Sequence, residues 1–525
     1  MNRLLTAAVA AAGLWATACS GGHPIITPPP PSGNYTLASL SGTYAFTTSG
    51  EVFDGASFHS LSRVGSFVAD GQGHITGGIE DVNSSGTPSG AIGITGGNYT
   101  VKGDGRGTLT LDFGGTSVDF GITLTSTSDG LMIDETSTSS QASTGSGNFV
   151  KQDATVCSSP VQSVSGTYIL DFAGLDSSGS PESFVGEFTA NGSGATFANL
   201  GDLNDSGALS NGTFTASFAT DGLNPAGPTA CGRGKAQFTT GSVTETYAYY
   251  VVDATRIRFI NAAGGEMLSG DAVLQPSVPA APSGGFAFLV AGASANAGLI
   301  RVGRFTVSNS TVSKILMDVN DAGTQTPLNN LSNPAIDYDP TTGRGQLSFQ
   351  SSAVNVFSFV FYLSSPSSGV IQEVSGPNAN TAVVVADGSV LAQSGSPFTS
   401  SNITGPYALN WSGLVTSNNV QDEEDLLAQV TVTNLSLSGT SDLFQFTSST
   451  LTPLFDVGTG GQMTFLNSGN GTGDDGNRVN MDVNLSNTSS IHMVVYIVSP
   501  QLAFFTNRDN NGAQRIVAGV LQAQQ

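Results

Sequence analysis

The chain repeats itself. A motif that opens a strand reads Ser41-Gly42-Thr43-Tyr44-Ala45-Phe46, then Ser165-Gly166-Thr167-Tyr168-Ile169-Leu170. It returns as Ser283-Gly284-Gly285-Phe286-Ala287-Phe288 and Thr404-Gly405-Pro406-Tyr407-Ala408-Leu409. The first glycines of successive motifs lie 124, 118 and 121 residues apart. Solenoid coils repeat every ~20–45 residues, so units of this length each carry a core of their own.

Further landmarks follow in the same order within each unit. Gly65-Ser66-Phe67, Gly186-Glu187-Phe188 and Gly303-Arg304-Phe305 correspond. So do Asp81-Val82-Asn83, Asp202-Leu203-Asn204 and Asp318-Val319-Asn320. Next come Gly105-Arg106-Gly107, Gly232-Arg233-Gly234 and Gly343-Arg344-Gly345, with Gly476-Asn477-Arg478 in a diverged fourth copy that has no clean Asp-x-Asn. The units close on apolar strands ending at Gln152, Gln275, Gln393 and Gln522. The organisation read from this is a leader over 1–19, a Pro/Gly-rich linker over 20–39, and repeats over 40–153, 160–276, 281–394 and 401–525.

Within the first copy, strands are expected at 42–49, 58–69, 73–82, 91–102, 106–113, 117–125, 130–136 and 143–152. Turn pairs join them: Asp70-Gly71, Ser85-Gly86, Asp104-Gly105, Gly114-Gly115 and Asp129-Gly130. Short joints make an antiparallel meander. Eight strands in that order close into an up-and-down barrel without free edges. The fold class is therefore all-β, with four tandem eight-stranded meander domains; a two-sheet β-sandwich is the alternative. Period two places Gly65 and Phe67 on the inner face, the glycine making room for a ring. The sixth strand of later copies is apolar on both faces, as in Tyr247 to Val252, Phe357 to Leu363 and Met493 to Val498. Such a strand needs cover on both faces, so it is expected to pack one domain against the next. An external binding patch is the other reading.

Composition removes several functions. Asp and Glu number 39 against 16 Lys and Arg, a net charge of -23, and only 10% of residues are charged. Nucleic-acid binding needs clustered cations, so no nucleic-acid partner is expected. The four histidines (His23, His59, His74 and His492) lack metal-ligand spacing. No metalloprotease, P-loop or nucleophile-elbow motif occurs. No catalytic residue, metal or cofactor is assigned, although 39 acids leave a carboxylate pair open. Asp81/Asn83, Asp202/Asn204 and Asp318/Asn320 match the opening of a calcium loop, D-x-[DN]-x-[DN]-G. Position twelve is Ile92, Thr213 or Asn329 where a bidentate Glu is needed, so turn-forming Asx residues are the expected reading. Each Gly-Arg-Gly leads into a strand, not a helix N-terminus, and reads as a hairpin whose Arg pairs with a carboxylate of its own repeat. Cys157 precedes the first strand of copy two and Cys231 lies between its fourth and fifth. A meander brings both to one barrel end, and an oxidising exterior permits a Cys157–Cys231 disulfide.

The address is at the start. Arg3 precedes the apolar run Leu4 to Trp15, too short to span a membrane. It ends Ala16-Thr17-Ala18-Cys19, which resembles the lipobox of bacterial lipoproteins, although Ala16 stands where that family usually has Leu. The resemblance implies cleavage before Cys19, lipidation of Cys19, and anchorage at the outer membrane or cell surface. Pro28-Pro29-Pro30-Pro31 then forms a spacer. The Gly-x-Tyr/Phe openings, with Tyr44, Tyr168, Phe286 and Tyr407 where that family has Trp, resemble the lipocalin and calycin barrels. That implies a barrel able to hold a small apolar molecule. The whole chain is similar to repeat lipoproteins of bacterial envelopes. The expected function is a lipid-anchored envelope protein with a binding or structural role, not an enzyme. Its partners would be an envelope glycan, a protein or a small apolar ligand. A carrier of apolar ligands and an envelope hydrolase are the alternatives.

Overall fold

Alternating apolar residues and glycine-rich turns become an all-antiparallel arrangement of four sheets in the computed structural model. It describes residues 34–137, 141–222, 231–294, 297–329, 331–352, 355–375, 384–417, 420–447, 450–466, 477–485, 490–509 and 515–525. Cys19 and the leader lie outside them. Among the described residues no helix is long and apolar enough to cross a membrane.

The first sheet starts with Ser41–Phe53, which pairs with both Phe58–Asp70 and Ala142–Lys151. Phe58–Asp70 also pairs with His74–Ser84, closing the sheet on itself. The expected single strand over 91–102 is instead two, Thr87–Ile94 and Gly96–Tyr99. The break falls at Thr95; just beyond it Gly97 needs to be glycine, since its φ is +146° and a Cβ there would lie 2.0 Å from the Thr110 carbonyl oxygen. The fourth sheet is a closed barrel of eight strands from Gly405–Ser417 to Arg515–Ala523. The second and third sheets keep the meander order but are split between their fourth and fifth strands. In the second, Ala208–Gly212 and Thr215–Ala219 are the two free edges. One bridge, Ala195 to Ser217, spans that split, and Asn199 Nδ2 donates to Phe214 O at 3.0 Å.

Every barrel is filled by its own side chains. Phe172 alone lies 4.7 to 6.4 Å, between ring centres, from Phe184, Phe238, Tyr247 and Phe259. The motif tyrosines stack on the second strand, Tyr44 on Phe67 at 5.5 Å and Tyr168 on Phe188 at 5.4 Å. Phe286 stacks likewise on Phe305, whereas Tyr407 faces Val430 across the register. Gly65 makes room for a ring, since a Cβ there would meet Phe46 at 2.6 Å. Gly303 does the same for Phe288, but Gly186 meets the Leu200 backbone instead.

The sixth strands do join the repeats. Tyr247, Tyr249 and Val251 point into the second barrel, while Ala248 and Tyr250 pack with Val64 and Ile79 of the first. Val360 and Tyr362 pack on Ile169 and Val185 of the second repeat. Val494 and Tyr496 pack on Ala287 and Leu289 of the third. Leu131 and Ile133 of the first repeat pack on Ala408, Leu427 and Phe444 of the fourth. Each repeat therefore meets the next, and the last meets the first, so the four form a ring. Cys157 and Cys231 are joined across 74 residues at one end of the second barrel.

Two outcomes follow. Phe172→Ala is expected to cost about 3–5 kcal/mol, the range for a buried ring, and to lower the urea midpoint followed by near-ultraviolet circular dichroism. Mass spectrometry after alkylation without reductant is expected to leave Cys157 and Cys231 unlabelled; labelling of both would remove the bridge.

Candidate functional site

The three repeated polar motifs converge on the seams between repeats. At the first seam, Arg233 of repeat two grips Asp81 of repeat one with two parallel bonds, Nε to Oδ2 and Nη2 to Oδ1, both 2.7 Å. Tyr250 donates its hydroxyl to the same Oδ2 at 2.5 Å. The second seam repeats this with Arg344 on Asp202 at 2.8 and 2.7 Å, and Tyr362 on Asp202 at 2.6 Å. At the third, Arg478 and Tyr496 reach Asp318 at 2.5 and 2.6 Å. Arg and Tyr face each other across neighbouring strands in all three, as the register pairs Arg233 with Tyr250, Arg344 with Tyr362 and Arg478 with Tyr496. The local cause is simple. The Gly-Arg-Gly turn starts a strand, and the Arg side chain leaves on the outer face beside the outward tyrosine.

Burial makes these contacts strong and demanding. A fork-on-fork guanidinium–carboxylate pair is charge-assisted and directional. Removing one member of a buried pair strands the other. Burial first, and then the neighbouring Asp81 carboxylate, push the Tyr250 hydroxyl well above its ordinary range, so it stays a donor. Burial and the Asp202 carboxylate do the same to Tyr362. Burial raises the Asp318 carboxyl although Arg478 opposes it.

The remaining motif residues bind backbone across the same seams. Asn83 Nδ2 donates to Asn261 O and Glu266 O at 3.1 and 2.8 Å. Asn204 Nδ2 donates to Glu373 O and Val384 O, each at 2.9 Å. Asn320 Nδ2 donates to Arg515 O at 2.9 Å. Gln152 Nε2 donates to Val251 O at 2.8 Å, Gln275 to Leu363 O at 2.7 Å and Gln393 to Ile497 O at 2.6 Å.

The fourth seam closes the ring with changed parts. Arg106 of repeat one binds Asp442 at 2.5 Å and Asp456 at 2.6 Å, both in repeat four. Lys102 adds a bond to Asp456 at 2.9 Å. Thr123 stands opposite Arg106, where the other repeats have tyrosine. Gln524 Nε2 donates to Asp104 O and Leu124 O, both at 2.8 Å.

Several expectations are corrected here. The arginines reach the preceding repeat, or for Arg106 the last one; Arg233 also keeps the expected partner in its own repeat, Asp221. Asp81, Asn83, Asp202, Asn204, Asp318 and Asn320 are not simple turn formers; they hold the next repeat. Among the described residues no group of three or more His, Cys, Asp and Glu is placed to hold a metal ion. The closing glutamine of the fourth copy is Gln524 and not Gln522, because Ala523 pairs with Tyr407 as Lys151 pairs with Tyr44. Asp442 was missed because its neighbour is Phe444, not Asn, yet it lies 124 residues after Asp318. His59, His74 and His492 each sit beside an aspartate, while His23 lies outside the described residues.

Two grooves open on the third repeat. One, of about 480 Å³, is lined by Arg301, Val319, Asp321, Leu328, Asn355 and Phe357, among others. The second, of about 350 Å³, includes Arg304, Lys314 and Gln393.

No family model matches the sequence, and no curated protein does. Among solved structures, a double mutant of the vaccine antigen transferrin binding protein B from Haemophilus parasuis Hp5 is 10% identical, with 96% of this chain and 98% of that one covered and a TM-score of 0.20. The isotype 1 transferrin binding protein B of serogroup B Neisseria meningitidis is also 10% identical, covering 75% and 84%, with a TM-score of 0.18. The outer-membrane receptor FauA of Bordetella pertussis is 8% identical over 93% and 76%, with a TM-score of 0.14. Likeness at these scores carries no argument about fold, partner or activity.

The seams give a direct test. Arg233→Ala leaves buried Asp81 with Tyr250 and the Ala91 amide, removes the guanidinium from Asp221 as well, and is expected to cost about 3–5 kcal/mol. Tyr250→Phe removes one hydrogen bond to a charged group and is expected to cost about 1.5–3 kcal/mol. Urea midpoints rank the two, and limited proteolysis of Arg233→Ala should cut first between repeats one and two.

Proposed function

We propose that this chain is a lipid-anchored protein of the bacterial cell envelope that works by binding or as a structural component, without catalysis. The observation that carries this reading is the pairing of filled barrels with locked seams. A chain whose interiors are occupied by Phe and Tyr rings offers partners its outer surface. The same filling weighs against a carrier of apolar ligands, the reading that the lipocalin resemblance implies. The perturbed carboxyls at the seams lie in protein contacts rather than a cleft, which weighs against a hydrolase. The net charge of -23 favours solubility and repels nucleic acid.

Anchorage rests on Leu4 to Trp15 and on Cys19. The segment after Cys19 leads to Tyr35, whose hydroxyl donates to Gln525 O at 2.8 Å. A tether there would hold the ring by the end where Gln525 lies. The 480 Å³ groove, with Phe357 and Leu328 beside Arg301, Asp321 and Asn355, mixes apolar and polar groups as an envelope glycan or peptide requires.

In cells, Cys19→Ser is expected to abolish palmitate labelling and move the protein from the membrane pellet to the soluble fraction. Retention in the pellet without label would overturn the anchor. In pull-downs with the mature chain, an envelope glycan or protein is expected to be retained. Stoichiometric uptake of a fatty acid would favour the carrier reading instead.

A further inference from the structure

The seam between repeats four and one differs from the others in its charge. Glu51 on Ser41–Phe53, with Asp422, Glu423 and Asp425 on Val420–Thr433, are 6, 2, 1 and 0% exposed. Asp425 accepts hydrogen bonds from Thr144 at 2.8 Å and Ser146 at 2.9 Å, hydroxyls of the first repeat. Glu423 accepts one from Ser412 at 3.1 Å, and its Oε2 is buried without a partner. The cations of the surrounding strands are engaged elsewhere. Arg63, on Phe58–Asp70, lies 3.0 Å from Glu80 and 3.5 Å from Asp134. Arg515, at the start of the last strand, holds Glu424 at 2.7 and 2.9 Å. Arg106 holds Asp442 and Asp456, with Glu135 beside them. Taken together, the acids named at this seam outnumber its guanidiniums Arg63, Arg106 and Arg515. Repeats one and four are not consecutive in the chain, and their lock has Thr123 in place of tyrosine.

Burying Glu51, Glu423 and Asp425 together in charged form is costly, so the closed seam favours their protonated forms. Burial, and then Asp422 and Asp425, raise Glu51 to about 8. Burial likewise raises Asp425 to about 7, and lifts Glu423 well above its ordinary range. These groups hold more protons when buried than when the seam is open to water. Their contribution to closure is complete below the ordinary carboxyl range and is lost as pH rises through about 7 and 8.

We propose that the seam between the first and fourth repeats is a pH-sensitive latch, closed by protonated carboxyls in acid and loosened by their ionisation in alkali while the barrels stay folded. Hydrogen exchange on the full chain at about pH 5 and about pH 9, corrected for intrinsic rates, tests this. The reference is the mainly apolar seam between repeats three and four, read on Ala297–Ser308 and Leu502–Asn507. Protection of Ala142–Lys151 and Val420–Thr433 is expected to fall at least about tenfold relative to that reference at the higher pH. The double change Glu51→Gln and Asp425→Asn is expected to remove most of the fall. Equal protection at both pH values would overturn the latch. So would loss spread evenly over all repeats, or an unchanged fall in the double variant. Should that variant not fold, the comparison within the unmodified chain decides.

Discussion

One contact organises the molecule: an arginine of one repeat gripping an aspartate of the repeat before it, with a tyrosine sharing the load at three seams. The aspartate stands on a third strand, the arginine at the start of a later strand, and the tyrosine opposite the arginine on the next. Each repeat therefore carries a donor face and an acceptor face on different sides of its barrel. Copies built this way must stack with a constant turn, and four turns bring the last acceptor, Asp442, back to the first donor, Arg106. The barrels supply rigidity. The lock supplies orientation, because a two-bond guanidinium–carboxylate contact tolerates little rotation.

Much of this was legible in the sequence, and the part that was not has a physical cause. Strand positions followed from glycine turns and period-two alternation, so the meander and the inward Phe67 and Phe305 could be read directly. The apolar outer face of the sixth strand announced contact between repeats. The role of Asp-x-Asn and Gly-Arg-Gly was not legible, because spacing within one copy cannot tell a partner in the same repeat from one in the next. Both motifs also look like ordinary turn chemistry. Asp442 and Gln524 were hidden by drift in the fourth copy, and only strand register restores them. The splits in the second and third barrels escaped as well. They arise where Ala208–Gly212 and Thr324–Leu328 stop short, and nothing local to those segments states what they fail to pair with.

Low overall charge acquires a meaning in this arrangement. Few cations are present, and several of them are spent in seams. Arg258, fully buried, reaches Asn148 of the first repeat, with a pKa lowered to about 9 by burial and by Arg256. Carboxyls outnumber these cations, so some seams must bury acids in pairs. Asp171 and Asp387 share such a contact between repeats two and three, and burial raises both. Seams held by protonated or bridged acids are suited to a mildly acidic to neutral medium.

Closure of the ring is the central claim, and one exposed pair reports it. Lys102 Nζ lies 2.9 Å from Asp456 Oδ1 although 354 residues separate them. A carbodiimide, applied near neutral pH to dilute protein, joins an ammonium to a carboxylate with no spacer. A closed ring gives the Lys102–Asp456 peptide in the monomer band on tandem mass spectrometry. Its absence from the monomer, or its presence only in dimers, would mean that the fourth repeat does not return to the first.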